Sequence, residues 1–463
     1  MSSQPQIQPV PQPAEHWTTE DSAELYRIAS WGDPYFFVNE AGHVAVRALN
    51  APTQTSMDLV AIVEELLKRG LQLPALIRFQ DILRSQVQRL NEAFRAAIEE
   101  AGYGNVYRGI YPIKVNQLHE VVDELLDAGR PYGMGLECGS KAELIAALPQ
   151  VDGDTLLVCN GVKDRSMLAL MLSGQRLGQN IVPVIEKYSE FNDLKGLAFQ
   201  TGTMAKMGVR VRLATRGSGR WSESSGVNSK FGLSVNELVR LVNELDATGM
   251  REQLVLLHCH IGSQIADIQV LKQAAKEVTR FYVELVNRGI GLKYLDLGGG
   301  LGVNYDKGHF EEDAGINYSL QEYANAVVFS VKEVCEESNV APPILVTESG
   351  RALTAHHSVL IVPVLSAHAK DDAGEKIPLP KGTAQPVRAL NRILSSIANA
   401  RGTPELLEVY HDANERLEEV RSKFALGYLN LEQRALAESV YWRICTQLLS
   451  ALNKQGDGEL SEA

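Results

Sequence analysis

The sequence has few cysteines, no long apolar run and no excess of basic residues, and each shortage excludes a class of protein. Its five cysteines are scattered through 463 residues without a Cys-x-x-Cys pair, which argues against a disulfide framework or a cysteine zinc site and is typical of a reducing cytosol. No apolar run approaches the ~20 residues of a membrane span. The net charge of -12 argues against a nucleic-acid partner. We therefore expect a cytoplasmic protein with neither a membrane nor a nucleic-acid partner.

The length and composition predict a globular chain of two or three units. A chain of 463 residues exceeds one ordinary domain, and 45% hydrophobic with 22% charged residues is typical of globular proteins. Residues 1–15 are rich in Gln and Pro and lack a basic, apolar signal pattern, so we expect a floppy arm that extends to residue 25.

Strand and helix patterns alternate over most of the chain, which indicates a parallel sheet covered by helices. The span from Val106 to Thr347 fits the ~250 residues of a (β/α)8 TIM-type barrel better than it fits an open doubly wound sheet. Eight strands are predicted, at 106–114, 132–138, 155–160, 181–186, 207–213, 254–260, 294–297 and 344–347.

The remaining segments predict part of a second β domain and a helical insertion. A hairpin at 35–46, a helix at 58–69 and a strand at 73–79 precede the barrel, and a strand pattern at 352–369 follows it. Helical spacing then continues to Leu452, and the polar tail from Asn453 is expected to fray. The predicted divisions are a flexible arm at 1–25, strands and a helix of the second domain at 26–80, the barrel at 81–351, strands into the second domain at 352–386, and the helical insertion with its tail at 387–463.

The stretch 109–116 is a short apolar run that ends on Lys114. A lysine at the end of a buried strand is unfavourable unless its amine has a partner, because the ammonium resists desolvation. A carbonyl that forms a Schiff base with the amine is one such partner, although a lysine that leaves a strand for solvent is commoner. Lys114 is therefore a candidate covalent anchor.

Nearly every predicted strand ends in a charged or hydrogen-bonding residue. The active site of a (β/α)8 barrel lies at the carboxyl ends of its strands, and a purely structural barrel would carry such residues at only a few of them. The strand-end residues are Lys114, Glu137, Asn160, Glu186, Arg212, His258, His260, the run Gly298-Gly299-Gly300, Glu348 and Arg351.

The glycine-rich loop at 298–302 follows a strand and lets the backbone approach an anion closely. It lacks the spacing of a Rossmann fingerprint, and a simple tight turn is an equally good interpretation of the glycines alone. Arg351, directly after Gly350, offers a guanidinium that can donate two parallel hydrogen bonds to a phosphate bound by this loop.

His258 and His260 share one face of their strand, because side chains alternate with a period of two. Two such histidines can bind a metal, but no third ligand has matching spacing. We expect His260 to stack on a flat cofactor with Ser263 near its phosphate, and His258 to be a core histidine.

Glu348, delivered by an apolar strand, is either a general base or the partner of a protonated ring nitrogen. Beside a Schiff-base lysine and a phosphate loop, the second role describes pyridoxal phosphate and favours decarboxylation.

The chain resembles the alanine-racemase-fold decarboxylases that use pyridoxal phosphate, and among them the biosynthetic arginine decarboxylases. The resemblance runs from about Tyr26 to the end of the helical insertion. The motifs that carry it are Tyr-Pro-Ile-Lys-Val-Asn-Gln at 111–117, Gly-Leu-Glu-Cys-Gly-Ser-Lys-Ala-Glu-Leu at 135–144, Cys-Asn-Gly-Val-Lys-Asp at 159–164, Ser-Lys-Phe-Gly-Leu at 229–233, His-Cys-His-Ile-Gly-Ser-Gln at 258–264, Asp-Leu-Gly-Gly-Gly-Leu-Gly-Val at 296–303 and Glu-Ser-Gly-Arg at 348–351.

The resemblance implies a role for each matching residue. Lys114 would form the Schiff base, His260 would stack on the pyridine ring, Glu348 would pair with the ring nitrogen, and Glu137 and Glu143 would lie near the cofactor. The implied phosphate site is Ser263, Gly298, Gly299, Gly300, Gly350 and Arg351. The implied substrate-binding stretch is Leu295, Asp296, Leu297, Gly298, Gly299, Gly300, Leu301, Gly302, Val303, Asn304 and Tyr305.

The resemblance also implies features that this sequence does not display. Members of the family use Mg²⁺, for which no ligand cluster is evident, and they form homo-oligomers, either dimers or tetramers. They continue into a C-terminal β half, which supplies a Cys-Asp motif to the active site across the dimer. This sequence reaches Ala463 without that motif, which indicates either a fragment or impaired catalysis.

The implied activity is decarboxylation of L-arginine to agmatine and CO2, the first step of putrescine and spermidine biosynthesis. Decarboxylation of ornithine, lysine or diaminopimelate is the nearest alternative, since the barrel sequence alone does not decide between them. A decarboxylase-like fragment that binds partner subunits without catalysis is the alternative from another class.

Overall fold

The computed structural model describes residues 17–47, 56–215, 230–305, 315–366, 379–400 and 402–455. The chain divides into two compact units, Met1–Val362 and Pro363–Ala463. Within the described residues, none of the helices combines the length and the apolar character needed to cross a membrane.

The first unit contains thirteen strands among its described residues. They are β1 (Phe36–Val38), β2 (Val44–Arg47), β3 (Ser56–Asp58), β4 (Ala75–Arg78), β5 (Tyr107–Pro112), β6 (Gly135–Cys138), β7 (Leu157–Cys159), β8 (Ile181–Ile185), β9 (Met207–Arg210), β10 (Leu254–His258), β11 (Tyr294–Asp296), β12 (Ile344–Glu348) and β13 (Ser358–Ile361).

Helices connect these strands and form the described part of the second unit. They are α1 (Thr19–Leu25), α2 (Ile28–Gly32), α3 (Leu59–Lys68), α4 (Gln80–Ala101), α5 (His119–Gly129), α6 (Lys141–Ala147), α7 (Arg165–Arg176), α8 (Tyr188–Thr201), α9 (Val235–Thr248), α10 (Ile268–Asn287), α11 (Leu320–Glu337), α12 (Gly350–Thr354), α13 (Gln385–Ser396), α14 (Thr403–Ala425) and α15 (Leu431–Gln455).

Strands β5 to β12 form a closed, eight-stranded parallel barrel. The barrel closes through pairing of β12 with β5, in which Glu348 lies beside Ile110. All eight predicted barrel strands are present, so the barrel prediction is confirmed and the open sheet is excluded.

The barrel strands are buried on both faces, which explains why they read as continuous apolar runs. Inward-facing residues such as Ile110, Val184 and Val346 fill the barrel interior. Outward-facing residues such as Leu136 and Leu257 pack under the surrounding helices in a larger core. This packing fixes the strand ends, where the polar side chains stand.

Short sheets flank the barrel in the first unit. The predicted hairpin is present, since β1 pairs with β2 in antiparallel fashion, and β3 extends that sheet. Strand β4 pairs with β13. These strands agree with the predicted second β domain, although the boundaries proposed for that domain stay predictions.

The structure corrects four details of the predicted secondary structure. Helix α1 occupies residues assigned to the flexible arm, because Thr18 and Asp21 form a capping box; residues 1–16 lie outside the described part. Helix α12 covers 350–354, where a strand was predicted from residue 352. Strand β5 ends at Pro112, and Lys114 lies in the 3₁₀ turn Ile113–Val115, because the proline cannot extend the ladder. Helix α15 continues to Gln455, into the tail that was expected to fray.

From Gln385 the described part of the second unit is helical, as predicted, whereas residues 363–366, which were predicted as strand, lie outside any strand. Helices α13, α14 and α15 bury their own apolar core, which includes Val387, Leu390, Leu417, Val440 and Ile444. The predicted strand residues 367–369 and the tail 456–463 lie outside the described residues.

Candidate active site

A cavity of about 330 Å³ opens at the carboxyl ends of the barrel strands. Its walls come from the turn after β5, the loops after β10 and β11, the end of β12 and helix α12. Most of the predicted site residues lie together there: Lys114, His260, Ser263, Gly299, Gly300, Leu301, Tyr305, Glu348, Gly350 and Arg351 line the cavity.

Lys114 reaches the cavity from the 3₁₀ turn and meets the carboxylate of Glu137 at the end of β6. Lys114 Nζ donates to Glu137 Oε2 at 3.1 Å, and the lysine side chain is half exposed whereas Glu137 is fully buried. Burial acts to lower the pKa of Lys114, but the charges of Glu137 and Glu348 outweigh it, so the pKa is raised. The amine is therefore held as a cation until a reaction partner changes its surroundings.

Glu137 retains binding capacity after this contact. Its Oε1 atom is buried and has no hydrogen-bond partner in the described part of the chain. Burial, together with repulsion from Glu348, raises the pKa of Glu137 to about 7. A buried carboxyl with a free oxygen marks a site prepared for a further polar group.

Glu348 stands at the end of β12 inside a buried polar network. Asn160 Nδ2 donates to Glu348 Oε1 at 2.6 Å. His258 Nδ1 lies 2.8 Å from Asp296 Oδ2 and 3.6 Å from Glu348 Oε1. The Gly298 N–H donates to Asp296 Oδ1 at 2.9 Å. Asn160 thus holds the carboxyl predicted to meet a ring nitrogen, and the side chains of His258 and Asp296 lie beside it.

The protonation of this network is shifted by its burial. Burial and the charge of Asp296 raise the pKa of Glu348 to about 7, and burial raises the pKa of Asp296 to about 7 as well. Burial lowers the pKa of His258 to about 4, so its ring is neutral at physiological pH. Such shifts are common at functional sites.

His260 presents a neutral ring to the cavity. Burial, with a smaller contribution from the nearby cation Arg210, lowers the pKa of His260 to about 3. The Gly262 N–H donates to His260 Nδ1 at 3.1 Å, which places the ring proton on Nε2 and fixes the ring orientation. A flat, neutral ring suits stacking better than general acid catalysis.

Arg351, in the first turn of α12, supplies the cationic wall of the cavity. Its Nη2 donates to Ser263 Oγ at 3.3 Å, and its Nη1 donates to the hydroxyl of Tyr305 at 3.0 Å. The Nε atom is buried and unpaired within the described residues. The guanidinium and the Ser263 hydroxyl together fit an anion such as phosphate.

Gly298 is a position where only glycine fits. Its φ of +65° lies in the left-handed region, and a Cβ there would stand 2.4 Å from the carbonyl oxygen of Cys259. The absence of a side chain lets the loop after β11 pack directly against the backbone of His260. The following residues of this loop, Gly299 and Gly300, line the cavity.

Two other predicted strand-end residues pair away from the cavity lining. Glu186 accepts from Arg210 Nη1 at 2.8 Å, so the arginine at the end of β9 is Arg210. The predicted strand-end residue, Arg212, lies two positions beyond Arg210. Residues two apart on a strand share a face, so the sequence pattern does not distinguish them. Arg212 Nε donates instead to the carbonyl of Gly232 at 2.8 Å.

Glu143 lies near Glu137 without reaching the lysine. Its Oε2 accepts from the Gly139 N–H at 2.7 Å, and its Oε1 accepts from Gln117 at 3.4 Å. Glu143 therefore fixes the loop after β6, which carries the chain away from Glu137.

The predicted substrate stretch divides between the cavity and the core. Leu301 and Tyr305 line the cavity, whereas the side chains of Leu295 and Leu297 pack in the core between the barrel and its helices. Substrate binding by the whole stretch stays a prediction.

His258, Asp296 and Glu348 bring three ligand atoms within 4.8 Å, a cluster that sequence spacing did not reveal. Mg²⁺ prefers six oxygen ligands, usually with several waters, and this group is fully buried, includes a nitrogen and is already hydrogen-bonded. The cluster therefore does not fit Mg²⁺.

Sequence reasoning missed the role of His258 and the pairing of Asn160 with Glu348. The interpretation of His258 as a core histidine agrees with its burial, but it omits the hydrogen bond with Asp296 and the position of the ring 3.6 Å from Glu348. The available signal was its alternation with His260, which places both histidines on the inward face, beside the ends of neighbouring strands.

Comparison with known proteins explains this arrangement. Residues 84–355 match the family model of the pyridoxal-dependent decarboxylase, pyridoxal binding domain, and residues 381–460 match the arginine decarboxylase helical bundle domain. The chain is 43% identical to a biosynthetic arginine decarboxylase of Gloeobacter violaceus, over 95% of this chain and 68% of that protein. It is 42% identical to that of Rhodopirellula baltica, over 93% of this chain and 68% of the relative.

A solved structure agrees with these sequence matches. The crystal structure of the biosynthetic arginine decarboxylase from Campylobacter jejuni superimposes with a TM-score of 0.76 at 33% identity, covering 92% of this chain and 70% of that one. The chain thus spans about two thirds of the length of these relatives. By its barrel, its helical unit and its sequence, the chain belongs to the pyridoxal-dependent decarboxylase family and, within it, to the biosynthetic arginine decarboxylases.

Proposed function

We propose that this chain binds pyridoxal 5′-phosphate in the barrel cavity and decarboxylates L-arginine to agmatine and CO2. The observation that carries the proposal is the meeting of the Lys114 amine, the buried Glu348 carboxyl and the Arg351 guanidinium around one cavity of about 330 Å³. Membership in the biosynthetic arginine decarboxylases supports arginine as the substrate.

The residues present fit this cofactor. The unpaired Arg351 Nε and Glu137 Oε1 atoms lie buried near the cavity, where polar groups of a ligand could satisfy them. Ser263, Arg351 and the glycines of the β11 loop would hold the phosphate, and His260 would cover the ring. When bound, the cofactor supplies an electron sink for the pair left behind as CO2 departs.

The side chains of this chain would orient and charge the reacting groups. Lys114 would hold the cofactor covalently, and it must lose its proton first, because only the neutral amine is a nucleophile. Glu348 would keep a proton at the ring nitrogen. The raised pKa of Glu348, about 7, lets its carboxyl either hold or release that proton near neutral pH.

Exposed apolar residues and free cysteines bear on the assembly and the location of the protein. We infer a homo-oligomer, because the paired residues Leu76 and Leu360 leave an apolar face exposed on the β4–β13 sheet. We infer a cytoplasmic location from the five free cysteines. Mg²⁺ has no support from the cluster described above.

The test is release of labelled CO2 from carboxyl-labelled arginine by the purified chain with added cofactor. We expect release from arginine and at most weak release from ornithine, lysine or diaminopimelate. Lys114→Ala should abolish release, together with the absorbance band of lysine-bound cofactor and its trapping by borohydride.

The outcomes separate the alternatives. Preferential release from another basic amino acid would replace arginine as the substrate. Cofactor trapped on Lys114 without release from any of the four amino acids would support a non-catalytic, partner-binding protein. Survival of the absorbance band in Lys114→Ala would refute the assignment of the lysine.

A further inference from the structure

His258 stands between two carboxyl groups that are delivered by the two strands following its own in the barrel. Within the barrel, β10 pairs with β11 so that His258 and Asp296 are register partners. Strand β12 pairs with β11 on its other side and ends at Glu348. All three side chains are almost completely buried, so water does not screen their interaction.

The position of the histidine proton follows from the hydrogen bonds. Nδ1 faces both carboxyl groups, whereas the buried Nε2 atom has no hydrogen-bond partner among the described residues. A proton on Nε2 would be a buried donor without an acceptor, which is unfavourable. The ring is therefore neutral, with its proton on Nδ1 and directed at Asp296.

The two carboxyl groups are unequally supported. Asp296 accepts from both the Gly298 N–H and His258 Nδ1, whereas Glu348 accepts at close range from Asn160. Two donated hydrogen bonds favour the charged form of Asp296. The two carboxyl groups have oxygens within 4.8 Å of each other. Two buried carboxylates this close do not both ionise readily, so a proton remains on the group that accepts fewer hydrogen bonds, which is Glu348.

Other charged groups also surround His258. Arg210 at the end of β9 disfavours a second proton on the ring, Glu186 directly follows β8, and Glu137 lies on β6. Arg210 is already paired with Glu186, and Glu137 is paired with Lys114. Asp296 and Glu348 are therefore the two carboxyl groups for which His258 can determine which one holds a shared proton.

We propose that His258 is a positioning residue that holds Asp296 as the charged member of the pair and so keeps on Glu348 a proton that the cofactor ring nitrogen would take up when the cofactor is bound. This inference rests on the proposed function, because it requires that Glu348 meets that nitrogen. His258 and Asp296 would thus influence the protonation of the cofactor ring nitrogen although neither residue contacts the ring.

The test compares three substitutions of His258 with two cofactors. His258→Asn places an amide N–H near the position of Nδ1, His258→Gln places it near the position of Nε2, and His258→Leu supplies no donor. The cofactors are pyridoxal phosphate and its analogue with carbon in place of the ring nitrogen. The analogue keeps the aldehyde and the phosphate but cannot form the contact with Glu348.

We expect His258→Gln and His258→Leu to weaken binding of pyridoxal phosphate by roughly ten- to a hundredfold, the range for a hydrogen bond to a charged group. His258→Asn should restore most of the affinity although it is smaller than Gln. All variants should bind the carbon analogue as tightly as the parent chain. The nitrogen signal of ¹⁵N-labelled cofactor should be that of a protonated ring in the parent and in His258→Asn, and of an unprotonated ring in the other two.

Equal weakening with both cofactors, or no rescue by His258→Asn, would show that His258 is only structural and would overturn the inference. Failure of the parent chain to bind either cofactor would instead refute the proposed function. If the histidine variants do not fold, Asp296→Asn, which keeps an acceptor for the Gly298 N–H, replaces them. It should show the same loss with pyridoxal phosphate alone, and equal loss with both cofactors would again overturn the inference.

Discussion

Lys114 Nζ lies 3.1 Å from Glu137 Oε2, which makes the candidate covalent anchor one half of an ion pair whose other half is fully buried. The pair reconciles two needs of the site. The carboxylate positions the amine and stabilises it as a cation, but the amine must become neutral before it reacts. The charge of Glu137 therefore tunes the pH at which the cofactor attaches.

Glu137→Gln should speed covalent attachment of the cofactor at pH 7 and above, where Glu137 of the parent is ionised and Lys114 is still protonated. Loss of the negative charge lowers the pKa of Lys114 and raises its neutral fraction, by roughly tenfold for one neighbouring charge. The measurement is the rate at which borohydride-trappable cofactor appears at several pH values. Glu120→Gln, an exposed substitution on α5, is the control and should leave the rate profile unchanged. A profile in Glu137→Gln that moves to higher pH would contradict this role.

Glu348→Gln should make the cofactor-free chain more stable relative to the parent as the pH rises from 5 to 8. The folded pKa of Glu348 is about 7 against an ordinary value of 4.5, and burial is the main cause. The folded chain holds this proton more tightly, so the stabilisation it provides is complete below about pH 4 and is lost as the pH rises to about 7. The amide keeps the acceptor for Asn160 and has no such dependence.

The expected change in the difference between variant and parent is roughly 2 kcal/mol in the free energy of unfolding. Urea unfolding at pH 5 and pH 8 measures it. The comparison must be made against the parent, because the buried histidines act in the opposite direction: the lowered pKa of His258 and His260 removes stability as the pH falls. A difference that is flat with pH would contradict the raised pKa of Glu348.

Arg351→Lys should weaken binding of pyridoxal phosphate by roughly tenfold or more, since lysine keeps the charge but not the planar fork. Binding of pyridoxal without phosphate should be unaffected, because the guanidinium contacts Ser263 and Tyr305 at the edge of the cavity and has no predicted role at the ring. Fluorescence titration of the parent and the variant with both compounds measures the loss of affinity for each. Equal weakening of both would place the phosphate elsewhere.

Much of the fold could be predicted from the sequence because strands buried on both faces read as unbroken apolar runs. All eight barrel strands, including β8 with its run Ile181–Ile185, follow from that pattern. Apolar runs do not fix the ends of strands: Arg212 was predicted at the end of β9, whereas the strand ends at Arg210. A proline at the end of β5 and a short helix at Gly350 changed the local backbone in ways that hydrophobic periodicity does not encode.

The cavity residues could be predicted because barrel strand ends converge on one face. The polar network behind them could not. His258 donates to Asp296, which lies 38 positions along the chain, and Asn160 donates to Glu348 across 188 positions. These pairings depend on strand register and side-chain direction, and an isolated buried histidine gives the same local sequence signal in a core.

Gly350→Ala and Gly196→Ala form a matched pair that tests how closely α12 packs on the lysine turn. Both glycines are helical, but a Cβ at Gly350 would stand 2.5 Å from Val115 Cγ2 and 2.7 Å from Pro112 Cγ, whereas a Cβ at Gly196 would meet nothing within 4 Å. Gly350→Ala should therefore destabilise the chain by roughly 1–3 kcal/mol and should weaken cofactor binding, because the turn that carries Lys114 must move. Gly196→Ala should stabilise it by roughly 0.5–1 kcal/mol through the restricted unfolded state. Thermal unfolding and cofactor titration of both variants measure the effects. Normal cofactor affinity in Gly350→Ala would show that the position of Lys114 does not depend on this contact.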